Sequence, residues 1–342
     1  MDRSIRIWLV SVMSLIAAIV IVGGITRLTG SGLSMVDWRP VMGILPPITQ
    51  SQWVEVFSAY KNSPEYLKIN QGMNLSQFKV IFFWEFLHRI MGRLIGLSAL
   101  IPFIYFSLKG KLTKNFQKHW VLVIGLIICQ GFMGWYMVKS GLVDIPHVSH
   151  FRLAAHLSLA FLIFVIILRE YLKQEFPGKP IKTKNIGLIQ TGFGLIAIQI
   201  VYGAFTAGLN AGHYYNSYPK MGPDWFPQSA LMYSGGLINN MLNNPIMIQW
   251  IHRWFALAVV IGVVLIWQRS QKSSNLYIKY SGLLLFTAIG FQFLLGVITL
   301  LTNVWTPVAA AHQFGALILL ISITLNHYFW THELTYHDLT TD

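Results

Sequence analysis

The chain of 342 residues has a single cysteine, Cys129, so no disulfide can form within it. No CxxCH occurs, which excludes covalent haem attachment, and no GxxxxGK(S/T) or GxGxxG suggests a nucleotide. Charge is scarce: 11% of residues are charged against 54% hydrophobic, and only 12 are acidic. A composition this apolar excludes a soluble globular domain.

What is present is long apolar runs. Eight of them reach the roughly 20 residues needed to cross about 30 Å of hydrocarbon: 7–26, 78–107, 119–138, 152–172, 186–207, 246–267, 280–302 and 308–330. Arg3 and Arg6 precede the first, but "IVIVGGITRLTG" offers no small-residue cleavage site, so that run is expected to stay. Nothing ahead of it resembles a transit peptide, which favours a bacterial inner membrane. The net charge of +13 and the run "KGKLTKNFQKH" invite a nucleic-acid reading, but their placement opposes it. Basic residues gather at the N-terminus and in 109–118, 169–184 and 269–279, the positive-inside pattern. Both termini are then expected in the cytoplasm, with 30–77, 139–151, 208–245 and 303–307 outside.

The chain also repeats itself. Dividing it into 1–185 and 186–342 gives two halves of four spans, with "EFLHRIMGRLIGLSALI" answered by "QWIHRWFALAVVIGVVLI", "QGFMG" by "QFLLG", and "RLAAHLSLAFLIF" by "VAAAHQFGALILL". An even number of crossings per half makes the repeat parallel, a pseudo-twofold along the membrane normal. The expected fold is an all-α membrane protein of two such four-helix bundles.

Of eleven histidines, His88, His156, His252 and His312 lie within spans, one on each even-numbered helix and each toward its outer end. A lone intramembrane histidine is ordinarily an interhelical hydrogen bond. Four at one depth, duplicated between halves, suit two facing imidazole couples that hold haem iron from both sides. Zinc would need further ligands that no cysteine or carboxylate cluster supplies. His147, His150 and His213 fall in outward loops, and His119, His327, His332 and His337 at or beyond the cytoplasmic edge. Four residues after each intramembrane histidine comes Gly92, Ala160, Ala256 or Ala316, giving clearance either for a porphyrin or for close helix packing.

Arg89 and Arg253 follow two of the histidines and are open to two readings, pairing with haem propionates or reaching for the outer surface; so are Arg93 and Arg152. Glu85 is the acid set well inside a span, three residues before His88, where its counterpart before His252 is Gln249. It acts as a proton carrier, stabilises a cationic intermediate, or forms a buried ion pair with Arg89 or Arg93. The difference assigns chemistry to the first half and a redox role to the second. The loop stretches 23–47 and 203–227, with Trp53, Phe57 and Tyr60 on one helical face, are expected to cover the histidine layer.

"TRLTGSGLSMVDWRPVMGILPP", "EFLHRIMGR", "FRLAAHLSLA", "NAGHYYNSYPKMGPDW" and "IHRWFA", in that order over the whole chain, resemble the heme A synthase family. The resemblance implies oxidation of the C8 methyl of heme O to a formyl by successive hydroxylations and loss of water, supplying cytochrome c oxidase with its haem. It implies haem b on His252 and His312, heme O near His88 and His156, and a catalytic role for Glu85. Heme O synthase and cytochrome c oxidase assembly factors are the partners it suggests; the electron donor is left unassigned, and a homo-oligomer is among the assemblies allowed. Some members carry a cysteine pair in the first outward loop; residues 30–77 have none, as in the proteobacterial and mitochondrial subtype. Two other classes stand beside this reading. One is a dihaem b-type cytochrome relaying electrons from quinol, against which Glu85 opposite Gln249 argues. The other is a transporter, against which the lack of broken half-helices argues.

Overall fold

The computed structural model describes residues 2–36, 45–141 and 148–334, so His147, His337 and parts of the loops 30–77 and 139–151 lie outside the described residues. Among the described residues eleven α-helices follow one another: α1 (Arg3–Leu28), α2 (Gln50–Lys61), α3 (Pro64–Lys68), α4 (Leu75–Leu108), α5 (Lys114–Gly141), α6 (His150–Glu175), α7 (Ile186–Gly208), α8 (Gly236–Asn243), α9 (Pro245–Gln271), α10 (Leu276–Leu301) and α11 (Thr306–Thr331). Eight of these, all but α2, α3 and α8, are long and apolar enough to cross a membrane. The all-α, eight-span architecture is as the apolar runs require.

Helix starts follow local chemistry. Asn74 and Gln77 form a reciprocal capping box at the start of α4, as Thr49 and Gln52 do for α2. Asn244 caps α9 ahead of Pro245, whose missing N–H costs nothing in the first turn. His150, placed by the sequence reading in a loop, is instead the first residue of α6.

Helices α1, α6, α7 and α11 form the centre, where Leu9, Val12, Ile167, Ile196, Leu317 and Ile323 are buried together. α5 buries least, and Phe132, Ile261 and Phe291 stand outward, as lipid contact demands. Because lipid tails are as apolar as leucine, this centre is held by close packing and polar links more than by transfer from water. Gln313 of α11 donates to the Val20 carbonyl of α1 at 2.7 Å, and Arg27 at the end of α1 donates to the last carbonyls of α7, Ala207 and Gly208, at 3.0 and 2.9 Å.

Contacts run in parallel through the chain. α1 packs on α4 and α7 on α9; α5 packs on α6 and α10 on α11; α6 meets α7 as α11 meets α1. Outside the spans, Phe57 and Tyr60 of α2 bury against Phe78 and Phe82 of α4, with Trp53 alongside, so the predicted aromatic face covers the first turns of α4. At the opposite end, strands β1 (Gly178–Pro180) and β2 (His332–Leu334) pair antiparallel and tie the segment after α6 to the segment after α11. A side chain at Gly178 would press on the Glu333 carbonyl, so glycine permits the pairing.

Candidate functional site

The four intramembrane histidines meet as two couples. His88 of α4 faces His156 of α6 with ring centroids 6.4 Å apart, and His252 of α9 faces His312 of α11 at the same 6.4 Å. Two imidazoles on opposite sides of one iron, with iron–nitrogen bonds of about 2.0 Å, place their ring centres about 6.3 Å apart. Among the described residues no group of three or more His, Cys, Asp or Glu could hold a metal ion by itself. Two imidazole rings at this spacing suit an iron whose other four positions are filled by a porphyrin.

Each ring rests against a glycine of a neighbouring helix. A Cβ at Gly23 of α1 would stand 3.1 Å from His88 Nε2, and one at Gly134 of α5 would stand 3.4 Å from His156 Cε1. The second couple repeats this: Gly203 of α7 lies 3.0 Å and Gly296 of α10 2.9 Å, by the same measure, from Cε1 of His252 and His312. These glycines were not singled out from the sequence. A signal existed for two of them, the shared Q-x-x-x-G of "QGFMG" and "QFLLG", whose last residues are Gly134 and Gly296. Gly92, chosen by spacing, meets only Ile19 Cδ1 at 3.9 Å, so the tight clearance at the rings comes from other helices.

The glutamines of that motif also have a role. Gln130 donates to the His156 carbonyl and Gln292 to the His312 carbonyl, both at 3.0 Å, fixing the backbone that carries each ring. Among the described residues, the ring of His312 in the second couple is itself anchored. His312 Nδ1 lies 3.1 Å from the Gln292 carbonyl, to which it donates, leaving Nε2 as the electron-pair donor. The Gln199 amide sits 3.1 Å from His252 Nδ1 and 2.9 Å from its carbonyl. In the first couple, His156 Nδ1 is buried with no hydrogen-bond partner among the described residues.

Glu85 lies one turn before His88 and is buried. Its Oε2 accepts from the Ser34 hydroxyl at 2.7 Å and the Met35 N–H at 2.9 Å, and its Oε1 pairs with Arg89. Arg89 also donates to the Met35 carbonyl at 3.0 Å. The ion-pair reading of Glu85 thus describes its resting contacts. In the second half Gln249 donates to the Tyr215 carbonyl at 2.9 Å, and Arg253 donates to the carbonyls of Tyr215 and Ser217. Both arginines hold an outward loop against the helix that carries a histidine, an engagement outside either reading of them. Arg152 stacks on Tyr136 and donates to its hydroxyl. His213 meets Asn303 and His150 meets the Leu242 carbonyl.

The chain matches the model of a family described as cytochrome oxidase assembly protein over residues 6–324. It is 40% identical over 331 residues to a heme A synthase of Flavobacterium johnsoniae, covering 94% of this chain and 96% of that one. It is 42% identical to a heme A synthase of Rickettsia felis, covering 94% and 96%, and 39% identical to one of Rhodospirillum centenum, covering 93% and 86%.

Proposed function

The chain belongs to the cytochrome oxidase assembly protein family, and from that membership we propose a heme A synthase whose two histidine couples do different work. It is a multi-pass bacterial membrane protein and an oxidoreductase that converts heme O to heme A. The finer assignments are these. The half 1–185 receives heme O between His88 and His156, and the half 186–342 holds haem b between His252 and His312. A pseudo-twofold along the membrane normal relates them, with the basic loops and both termini in the cytoplasm.

The observation that carries this division is that the two couples share one spacing but not one set of anchors. A resident haem needs a ligand ring fixed in orientation with one nitrogen free of its proton, and Gln292 supplies this for His312, while Gln199 holds the backbone carbonyl of His252. A substrate must arrive and leave, and at the first couple the His156 ring nitrogen is not tied. The glycines at all four rings leave room for a flat macrocycle's ligands to face one another. Haem b supplies one-electron redox chemistry when bound.

The first half contributes the acid. Conversion of a methyl to a formyl replaces two C–H bonds by a C=O, through successive hydroxylations and loss of water from the geminal diol. Each hydroxylation removes two electrons from the carbon, to dioxygen or to an external electron acceptor, and adds one oxygen atom from dioxygen or water; Glu85, one turn from His88, takes a proton set free in that exchange or offsets positive charge developing at the substrate. To accept a proton its carboxylate must surrender part of its hold on Ser34, Met35 or Arg89. Gln249 cannot do this, which removes proton transfer from the second half. Heme O synthase fits as the supplier of substrate and cytochrome c oxidase as the consumer of product.

Expression of the chain in cells that make heme O but no heme A, with pigments extracted and identified by mass, tests the assignment. A formylated haem is expected. Two stable haems in the purified protein with no formylated product would instead indicate a dihaem electron relay.

A further inference from the structure

The repeat makes one contact in the centre of the molecule stand out. α11 meets α1 as α6 meets α7, and aligning the halves pairs Gln313 with Leu157 and Gly24 with Ala204. At the α6–α7 contact these positions are apolar: Ala204 is buried in a cluster with Ala154, Phe205 and Ile248, with Leu157 packed against it. At the α1–α11 contact they are polar. Gln313 Nε2 donates to the Val20 carbonyl at 2.7 Å, and a Cβ at Gly24 would stand 2.7 Å from Gln313 Oε1, so only glycine admits the amide.

Both ends of this contact adjoin the histidine couples. Gln313 directly follows His312, whose backbone and ring are fixed by Gln292. Gly24 directly follows Gly23, the residue against which His88 rests. The turn of α1 that backs His88 is therefore fastened, through one side chain, to the turn of α11 that carries His312. In a lipid environment no water replaces a lost amide hydrogen bond, so the link defines the separation of α1 and α11 closely.

We infer that Gln313 is a positioning residue that couples the two histidine couples, so that the state of one is felt at the other. This rests on the reading of the couples as a haem b site and a heme O site. Coupling of this kind is reciprocal: whatever heme O binding does to haem b, haem b does to heme O affinity by the same factor.

The test uses full-length protein purified with its haem b. Haem b midpoint potential is measured with and without added heme O, together with heme O affinity in the oxidised and reduced states. Wild type is expected to show a shift in potential on heme O addition and a heme O affinity that differs between states by about five-fold or more. Gln313→Met keeps the volume but removes the donor, and should reduce both effects to near zero while haem b remains bound. Gly24→Ala strains the same joint from α1; it should have the same effect, and the double variant should be no worse than either single one. Gln313→Asn, which retains a shorter donor, should restore part of the shift. A wild-type shift that survives unchanged in Gln313→Met, or no shift in wild type, overturns the inference. Wild type without haem b or without heme A formation would instead overturn the underlying functional reading.

Discussion

Replacement of Gly296 by alanine tests the geometry of the second couple most directly. The new Cβ would lie 2.9 Å from His312 Cε1 and 3.5 Å from both ring nitrogens, whereas carbon–carbon contact is comfortable from about 3.5 Å. The ring must retreat by about 0.6 Å, nearly a third of an iron–nitrogen bond of about 2.0 Å. Retreat is resisted because Gln292 holds both the His312 carbonyl and Nδ1. Overpacking of this kind costs about 1–3 kcal/mol, which predicts haem b loss faster by about 5- to 150-fold. Alanine in place of glycine favours a helix by about 1 kcal/mol, so unfolding is not the expected cause. The measurement is haem b per protein, from reduced-minus-oxidised absorbance, and the rate of haem transfer to an acceptor globin in excess. Gly203→Ala, with its Cβ 3.0 Å from His252, should behave alike. In the first couple, Gly23→Ala at 3.1 Å should weaken heme O binding more than Gly134→Ala at 3.4 Å. A Gly296→Ala protein that keeps haem b as tightly as wild type would refute the proposed ligation geometry.

Three further outcomes follow from the same contacts. His252→Ala and His312→Ala should each abolish the haem b absorbance, whereas His88→Ala and His156→Ala should preserve it and lower heme O affinity, as read by difference spectroscopy. Glu85→Gln retains an acceptor for Ser34 and Met35 but not the charge; it should keep haem b and lose at least about 100-fold in heme A formation, and normal turnover would remove the catalytic claim. Glu65 of α3 is buried beside Tyr60, whose hydroxyl donates to it at 3.3 Å and accepts from Asn70. Burial first, and the charge of Glu85 next, push its carboxyl up to about 7 from an ordinary 4.5. The folded cap thus prefers the neutral acid: this stabilisation is whole below about pH 4.5 and is lost as pH rises through about 7. Hydrogen exchange in α2 and α3 should accelerate relative to the intrinsic rate across that range, and Glu65→Gln should flatten the dependence.

The spans and the histidine couples were legible because both arise from one-dimensional signals. Apolar length announces a crossing, and a repeat that places His88 with His252 and His156 with His312 announces a shared layer. Glu85 opposite Gln249 was legible as a difference between aligned positions. What was not legible depends on residues meeting across helices. Nothing local marks Gly23 or Gly203 as the wall behind an imidazole, and spacing along one helix pointed to Gly92 instead. Arg89 and Arg253 gave only a charge near the outer edge; their actual acceptors, the carbonyls of Met35, Tyr215 and Ser217, belong to loops with no periodicity. The strands after α6 and α11 are three residues each, too short for alternation to register.

That short ribbon sets where the molecule can breathe. Fastened through Gly178–Pro180 and His332–Leu334, α6 and α11 share an anchorage at one end, while His156 stands 19 residues up α6 from Glu175, about 28 Å away. Swinging a lever arm of that length through about 5° sweeps its far end by about 2.5 Å, more than a metal–imidazole bond. Flexing about this pivot is thus hardly felt near the strands and is amplified at the mouth, where a rigid planar guest would have to slip in and out.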